Sequence, residues 1–199
     1  LGHITSLHRI DEEQYVRIDG FTARSLELLT TMNPEGCSLK DILDRTYTPM
    51  GARLLRQWIA FPLKSVAAIE ERQSVVRALV DDAQARFVLE EHLREMGDLE
   101  RTASKVSMKR ISPREMVHLA DALTALEPIK KVAEESPCPS LEALGKELAL
   151  CTELRDRIRY ELKPDAPPLV NRGGVIATGY NEELDELRSL AFSGKDYLL

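Results

Sequence analysis

SLKDILDRTYTPMGARLLRQWIAFPL, residues 38–63, carries two complete sets of helix punctuation. Ser38 is placed to cap one helix, Asp41 stands three residues on as the acid of a capping box, and Leu39, Ile42 and Leu43 form the expected buried face. Thr48 is placed to cap a second helix whose first residue is Pro49, where the missing N–H costs nothing. Met50, Leu54, Leu55, Trp58 and Ile59 recur at helical spacing. Arg53, Arg56 and Gln57 take the other side, and Pro62 closes the run. The stretch predicts a core-forming helical corner.

The composition fits such a fold. A chain of 199 residues can bury a core as one large or two small domains. It is 43% hydrophobic but only 5% aromatic, which suits helices packed through Leu, Ile, Val and Ala. No apolar run reaches the roughly 18 residues of a membrane span and no signal-peptide pattern opens the chain, so a cytoplasmic location without membrane partners is expected. A net charge of -6 argues against a whole-surface footprint for nucleic acid, because duplex affinity begins with Lys and Arg neutralising phosphates. Cys37, Cys138 and Cys151 lack the close pairs of a zinc site and read as free thiols. The sequence opens on Leu1 and stops at Leu199 inside a helical pattern, which suggests a piece of a longer protein.

Before the corner, residues 1–13 show no clear period, and His3 and His8 are given no role. Residues 15–19 alternate like a short strand. Phe21, Thr22 and Leu26 then read as a hydrophobic staple with Thr22 as N-cap, starting a helix to about Met32 that residues 33–36 end. Beyond the corner, Ser65 is placed to cap a helix with Ile69, Val76, Leu79 and Val80 on one face. Residues 83–96 continue through Phe87, Leu89 and Leu93 to Gly97, a left-handed terminator. Asp98 is the expected cap of the next helix. Asp98 and Glu100 invite comparison with an acid pair, but residues two apart on a helix do not face each other, so capping and a surface ion pair are the reading.

Lys105, Lys109, Arg110 and Arg114 form the one basic concentration, with Lys105 and Lys109 a turn apart if helix persists. Without interleaved aromatics the signal for nucleic acid is weak. Ser112, Pro113 and Glu115 spell a capping box with proline first. The following stripe, Met116, Leu119, Leu123, Leu126 and Ala133, predicts a helix of about 24 residues and about 36 Å that Pro128 should bend or divide. Residues 137–139 break the chain and Ser140 restarts helix. Leu141, Leu144, Leu148, Cys151, Leu154, Ile158 and Leu162 predict one long rod, stopped over 164–168. Arg172-Gly173-Gly174 reads as a tight bend. Neither Gly145-Lys146-Glu147 nor Gly194-Lys195-Asp196 completes a phosphate loop. Asn181 is placed to cap a last helix with Glu182, Glu183 and Asp185 in its first turn and Leu184, Leu187, Ala191 and Leu198 on its buried side. His92 and His118 have no recognisable partner. No catalytic, cofactor-binding or metal-ligating set emerges.

Five blocks occur in one order: FTARSLEL (21–28), LDRTYTPMGARLLRQWIAFPL (43–63), DLER (98–101), SPRE (112–115) and RGGVIATGYNEELDELR (172–188). Together they resemble the DNA mismatch-repair MutS family, in the core or lever region between its connector and its DNA clamp. The resemblance implies an all-α, mostly helical fold with a minor short β element near the N-terminus. Residues 1–183 would form the multi-helix core, and 184–199 would begin the lever helix leading to the clamp. It implies mechanical coupling of an ATPase to the clamp and the mismatch-binding parts, without catalysis here; ATP and Mg belong to the full-length parent. Implied partners are mismatched double-stranded DNA through other domains, a second copy in a homodimer and a MutL-type protein. The expected mechanical residues are the face over 116–126, the corner over 48–59 and 184–187, so Leu123→Asp should uncouple ATP from mismatch recognition. Cut-off helices should expose apolar faces and self-associate or leave the C-terminus partly disordered. A helical interaction scaffold, or a MutS homologue acting outside mismatch repair, stays open, as does DNA contact by the basic cluster.

Overall fold

Ser112 begins the helix against which four of the others pack. In the computed structural model, which describes residues 14–196, its hydroxyl accepts the Glu115 N–H at 3.3 Å and the Glu115 carboxylate accepts the Ser112 N–H at 2.9 Å. With both N-terminal donors satisfied and Pro113 preset for helix, α1 to α10 can be placed around it. In chain order they are α1 (Gly20–Ser25), α2 (Leu39–Leu43), α3 (Pro49–Ala60), α4 (Val66–Asp81), α5 (Ala83–Met96), α6 (Leu99–Ser107), α7 (Pro113–Glu134), α8 (Pro139–Glu147), α9 (Thr152–Glu161) and α10 (Glu182–Asp196). The fold is all-α. Among the described residues the only β pairing is two isolated antiparallel bridges, Tyr15 with Leu63 and Leu162 with Ile176.

Helix α7 packs against α5, α6, α8 and α9. It can serve all four because small residues alternate with large ones: Ala120, Ala122, Ala125 and Ala133 are buried beside Leu123, Leu126 and Ile129. The expected leucine stripe is one of its sides. Met96 joins Ala122, Leu123, Leu126 and Ile129 in the main core, with Met50, Leu89, Leu93 and Leu148 packed on it. A second cluster of Ala133, Cys138 and Leu141 takes Val75, Ala78 and Leu79 from α4. Pro128 does not divide α7, which runs unbroken for 22 residues. Packing on either side of the proline, at Leu126 and Ile129, outweighs the one backbone bond it deletes.

The long rod expected from 140 to 162 is two helices. Lys130 of α7 donates its ammonium to the carbonyls of Gly145 at 2.8 Å and Leu148 at 2.9 Å, and pairs with Glu134 at 2.9 Å. These contacts satisfy the carbonyls at the end of α8, so the helix stops there. Cys151 then takes a left-handed conformation, φ 46°, and Leu148 and Leu150 pack on the core instead of continuing a stripe. α8 starts at Pro139, one residue before the expected Ser140.

Several expected faces are corrected. The strand over 15–19 reduces to Tyr15. Val16 N–H donates to Pro62 O at 2.7 Å, but Pro62 has no N–H to return, so the ladder cannot extend. Asp19, not Thr22, caps α1, accepting the Thr22 N–H at 2.7 Å. α1 ends at Ser25 because Glu27 turns left-handed, φ 49°, and its carboxylate accepts the Met32 N–H at 2.7 Å. The freed carbonyls of Glu27 and Leu28 then accept the Leu39 and Lys40 N–H groups at the start of α2. The staple residues Phe21 and Leu26 are exposed, as are Leu39, Ile42, Leu43, Leu54, Trp58, Phe87, Val76, Val80 and Leu187. Periodicity places these residues on a stripe but supplies no partner to cover it, and α7 packs chiefly against α5, α6, α8 and α9. Leu198 lies outside the described residues. No helix among them is long and apolar enough to cross a membrane.

Candidate functional site

Among the described residues no group of three or more His, Cys, Asp or Glu could hold a metal ion. The notable chemistry lies at the junctions between helices. The first ties the α3 corner to α6. Arg53 grips Asp98 bidentately at 2.9 and 2.8 Å and places its Nε 2.9 Å from Glu100 Oε2. Asp98 does double duty, accepting the Arg101 N–H at 3.2 Å as the N-cap of α6. Gly97, φ 65°, makes the preceding turn. The capping and ion-pair roles of Asp98 are as expected. Arg53 is the residue sequence reasoning missed, since it lies 45 residues away on the side assigned to water.

The second junction fixes the start of α7. The Lys105 ammonium pairs with Glu115, the acid of the capping box. Two carboxyls are therefore held well below their ordinary range. Asp98 falls from 3.8 to about 2, mainly through the Arg53 hydrogen bonds. Glu115 falls from 4.5 to about 2, through Lys105 first and Ser112 second. A depressed pKa means that each contribution is complete above the ordinary value and is lost as pH falls toward about 2. Arg53→Gln returns Asp98 toward 3.8 and is expected to move acid unfolding to higher pH, followed by far-UV circular dichroism. An unchanged acid midpoint would contradict the junction's contribution.

The basic cluster is dispersed. α6 ends at Ser107 and Lys109 turns left-handed, φ 54°, so Lys105 and Lys109 do not share a helix face. Lys105 is engaged by Glu115, and Arg114 Nε donates to Ala166 O at 3.4 Å. Lys109 and Arg110 stay exposed.

The last junction anchors α10. Asn181 accepts the Leu184 N–H at 2.8 Å as the expected cap. Arg188 donates to Asp185 at 2.8 Å and to the Ile176 carbonyl at 2.9 Å, while Asp185 accepts the Gly179 N–H at 2.6 Å. Ile176 is itself bridged to Leu162 at the end of α9. The bend at Gly173 and Gly174, φ 69° and 70°, returns the chain to that bridge. Leu184 is half-buried, whereas Leu187 and Leu190 are exposed beyond the anchor. His92 Nδ1 is buried without a hydrogen bond, 3.5 Å from Glu95, and His118 stands 4.0 Å from Asp121, so neither histidine joins a constellation among the described residues.

An all-α body gathered on one central helix, with a further helix tethered at its base, defines a helical structural domain. The chain belongs to the MutS domain III family, whose model matches residues 21–194. It is 58% identical over 199 residues to the DNA mismatch repair protein MutS of Porphyromonas gingivalis, and 54% identical over the same length to those of Parabacteroides distasonis and Phocaeicola vulgatus. All of this chain is covered in each case, and it spans only 22–23% of the length of these relatives.

Proposed function

We propose that this domain couples distant parts of a MutS-type mismatch-repair protein mechanically, with no catalysis of its own. Motion at a nucleotide site and grip on mismatched duplex would both bias how α6 sits on α7, how α3 is clamped to α6 and how α10 is tied to the Leu162–Ile176 bridge. The observation that carries the reading is the form of the α10 anchor. Its base is fixed by Arg188, Asp185 and the Leu162–Ile176 bridge, while Leu187 and Leu190 stand open to solvent. A helix held at one end transmits displacement along its length because its ends move together. Packed side chains respond by switching between discrete arrangements. The exposed apolar residues of α2 and α10 are, on this reading, surfaces covered by other parts of the larger protein.

The parent would bind ATP and Mg and act on mismatched double-stranded DNA through its other domains. It would do so as a homodimer with a MutL-type partner, in the cytoplasm. Hydrogen exchange on the full-length protein tests the coupling. Nucleotide and mismatched duplex, added separately, are each expected to change protection over 176–188 and along α7. Exchange there that ignores both ligands would refute the proposal.

A further inference from the structure

We propose that residues 148–151, the break between α8 and α9, form a two-state hinge that closes into one continuous helix from Pro139 to Glu161, with Lys130 of α7 as the clamp that holds it open. The sequence across the break favours helix. Leu148, Ala149 and Leu150 are strong helix formers, and no glycine or proline interrupts residues 146–161. Leu141, Leu144, Leu148, Cys151, Leu154 and Ile158 keep one helical phase through the break. With α8 and α9 divided, Leu144 and Leu154 are exposed, so the stripe is only partly used.

The open form carries strain. Cys151 is left-handed, φ 46°, a region that crowds any residue with a Cβ. No side chain caps α9, so the N–H groups of its first turn have no side-chain acceptor. The Lys130 ammonium opposes this with all three of its donors, reaching Gly145 O at 2.8 Å, Leu148 O at 2.9 Å and Glu134 Oε1 at 2.9 Å. In an uninterrupted helix each N–H takes the carbonyl four residues back, so these two carbonyls are the ones that Ala149 and Thr152 would need. Leu148 and Leu150 add their packing on the main core. Clamp and packing therefore compete with backbone strain and helix propensity at the same four residues.

The closed form fits along α7. Gly145 lies against Ala133 and Glu134, while Arg155 pairs with Glu127 at 3.4 Å and Arg159 with Asp121 at 3.5 Å. Arg159 is 14 residues beyond Gly145, and Asp121 is 13 before Glu134. A straight helix antiparallel to α7 thus keeps both ends of the contact in register, about 21 Å against about 20 Å. Closing rewinds residues 148–151 and turns α9 relative to α8. Leu162 moves with α9, and its bridge to Ile176 carries the carbonyl that Arg188 holds. Displacement at the base of α10 has, by this route, a path to the hinge. That use of it rests on the coupling proposed above, whereas the hinge itself does not.

Nuclear magnetic resonance on the full chain without ligands reads the hinge directly, so the hinge can fail while the coupling stands. Lys130→Met keeps an aliphatic stem and removes the clamp. It is expected to raise the ratio of closed to open form about tenfold or more, given the strength of hydrogen bonds from a charged donor. Cα shifts at 148–150 should then move to helical values and amide exchange at 152–154 should slow. Cys151 is exposed, and variants there give a check independent of the clamp. Alanine is the better helix former and glycine is at ease in the left-handed region, so Cys151→Ala should exceed Cys151→Gly in closed-to-open ratio by about tenfold. Exchange at 152–154 is accordingly expected to be slower with alanine. A fixed break predicts the reverse order, because glycine relieves the strain that alanine keeps. That order, or no difference, would overturn the proposal, and so would extended shifts at 148–150 in a folded Lys130→Met protein. If Lys130→Met does not fold, the order of the Cys151 pair decides.

Discussion

Leu123→Asp is expected to abolish the folded domain, not merely to uncouple it. Leu123 is 6% exposed inside the cluster of Met96, Ala122, Leu126 and Ile129, and the described residues packed on that cluster are all hydrophobic. An unpaired buried charge costs several kcal/mol, comparable with the roughly 5–15 kcal/mol by which a domain is stable at all. The milder Leu123→Ala leaves a cavity and is expected to cost about 2–5 kcal/mol. At roughly 2–4 °C per kcal/mol for a chain of this size, the melting temperature should fall by about 4–20 °C. Thermal circular dichroism checks both variants, and a Leu123→Asp protein with native helicity and a cooperative melt would show that α7 is not the hub described.

Gly145→Val should be the second severe change. Gly145 is buried where α8 crosses α7, and a Cβ added there would meet the Ala133 Cβ and the Glu134 amide nitrogen, each at 2.8 Å. The amide belongs to the backbone of α7 and cannot rotate away, so the helices must separate. Overpacking of this sort costs about 1–3 kcal/mol or more. Separation would also draw the Gly145 carbonyl away from Lys130, loosening the end of α8. Urea unfolding is the appropriate measure, with the midpoint expected to drop and the slope to hold; an unshifted midpoint would mean that the crossing is looser than its geometry.

Local chemistry was the legible part of this fold. The caps at Ser38, Thr48, Ser65, Asp98, Ser112 and Asn181, the proline starts of α3 and α7, and the terminator Gly97 all stand where their residue types place them, since each depends on neighbours within four residues. Which apolar side faces inward was not legible. Periodicity defines a stripe but not its partner, and so Val75 and Leu79 of α4 are half-buried against the second cluster while Val76 and Val80, equally periodic, are exposed. The division of the expected rod depends on Lys130, a residue of another helix. The Arg53 clamp likewise joins residues that no local window contains.

The central claim is that this domain transmits, and transmission is a free-energy difference between ligands. The most direct measurement compares, in the full-length protein, the affinity for mismatched duplex with and without ATP, in the parent sequence and in Arg188→Met. The substitution removes the donor to the Ile176 carbonyl and to Asp185, while the Asn181 cap and the Gly179–Asp185 hydrogen bond are retained. The nucleotide effect, typically about 5–150-fold in coupled systems, is expected to shrink toward unity while duplex binding without nucleotide and ATP turnover without DNA persist. A folded Arg188→Met protein whose affinity responds to ATP as fully as the parent's would contradict the account.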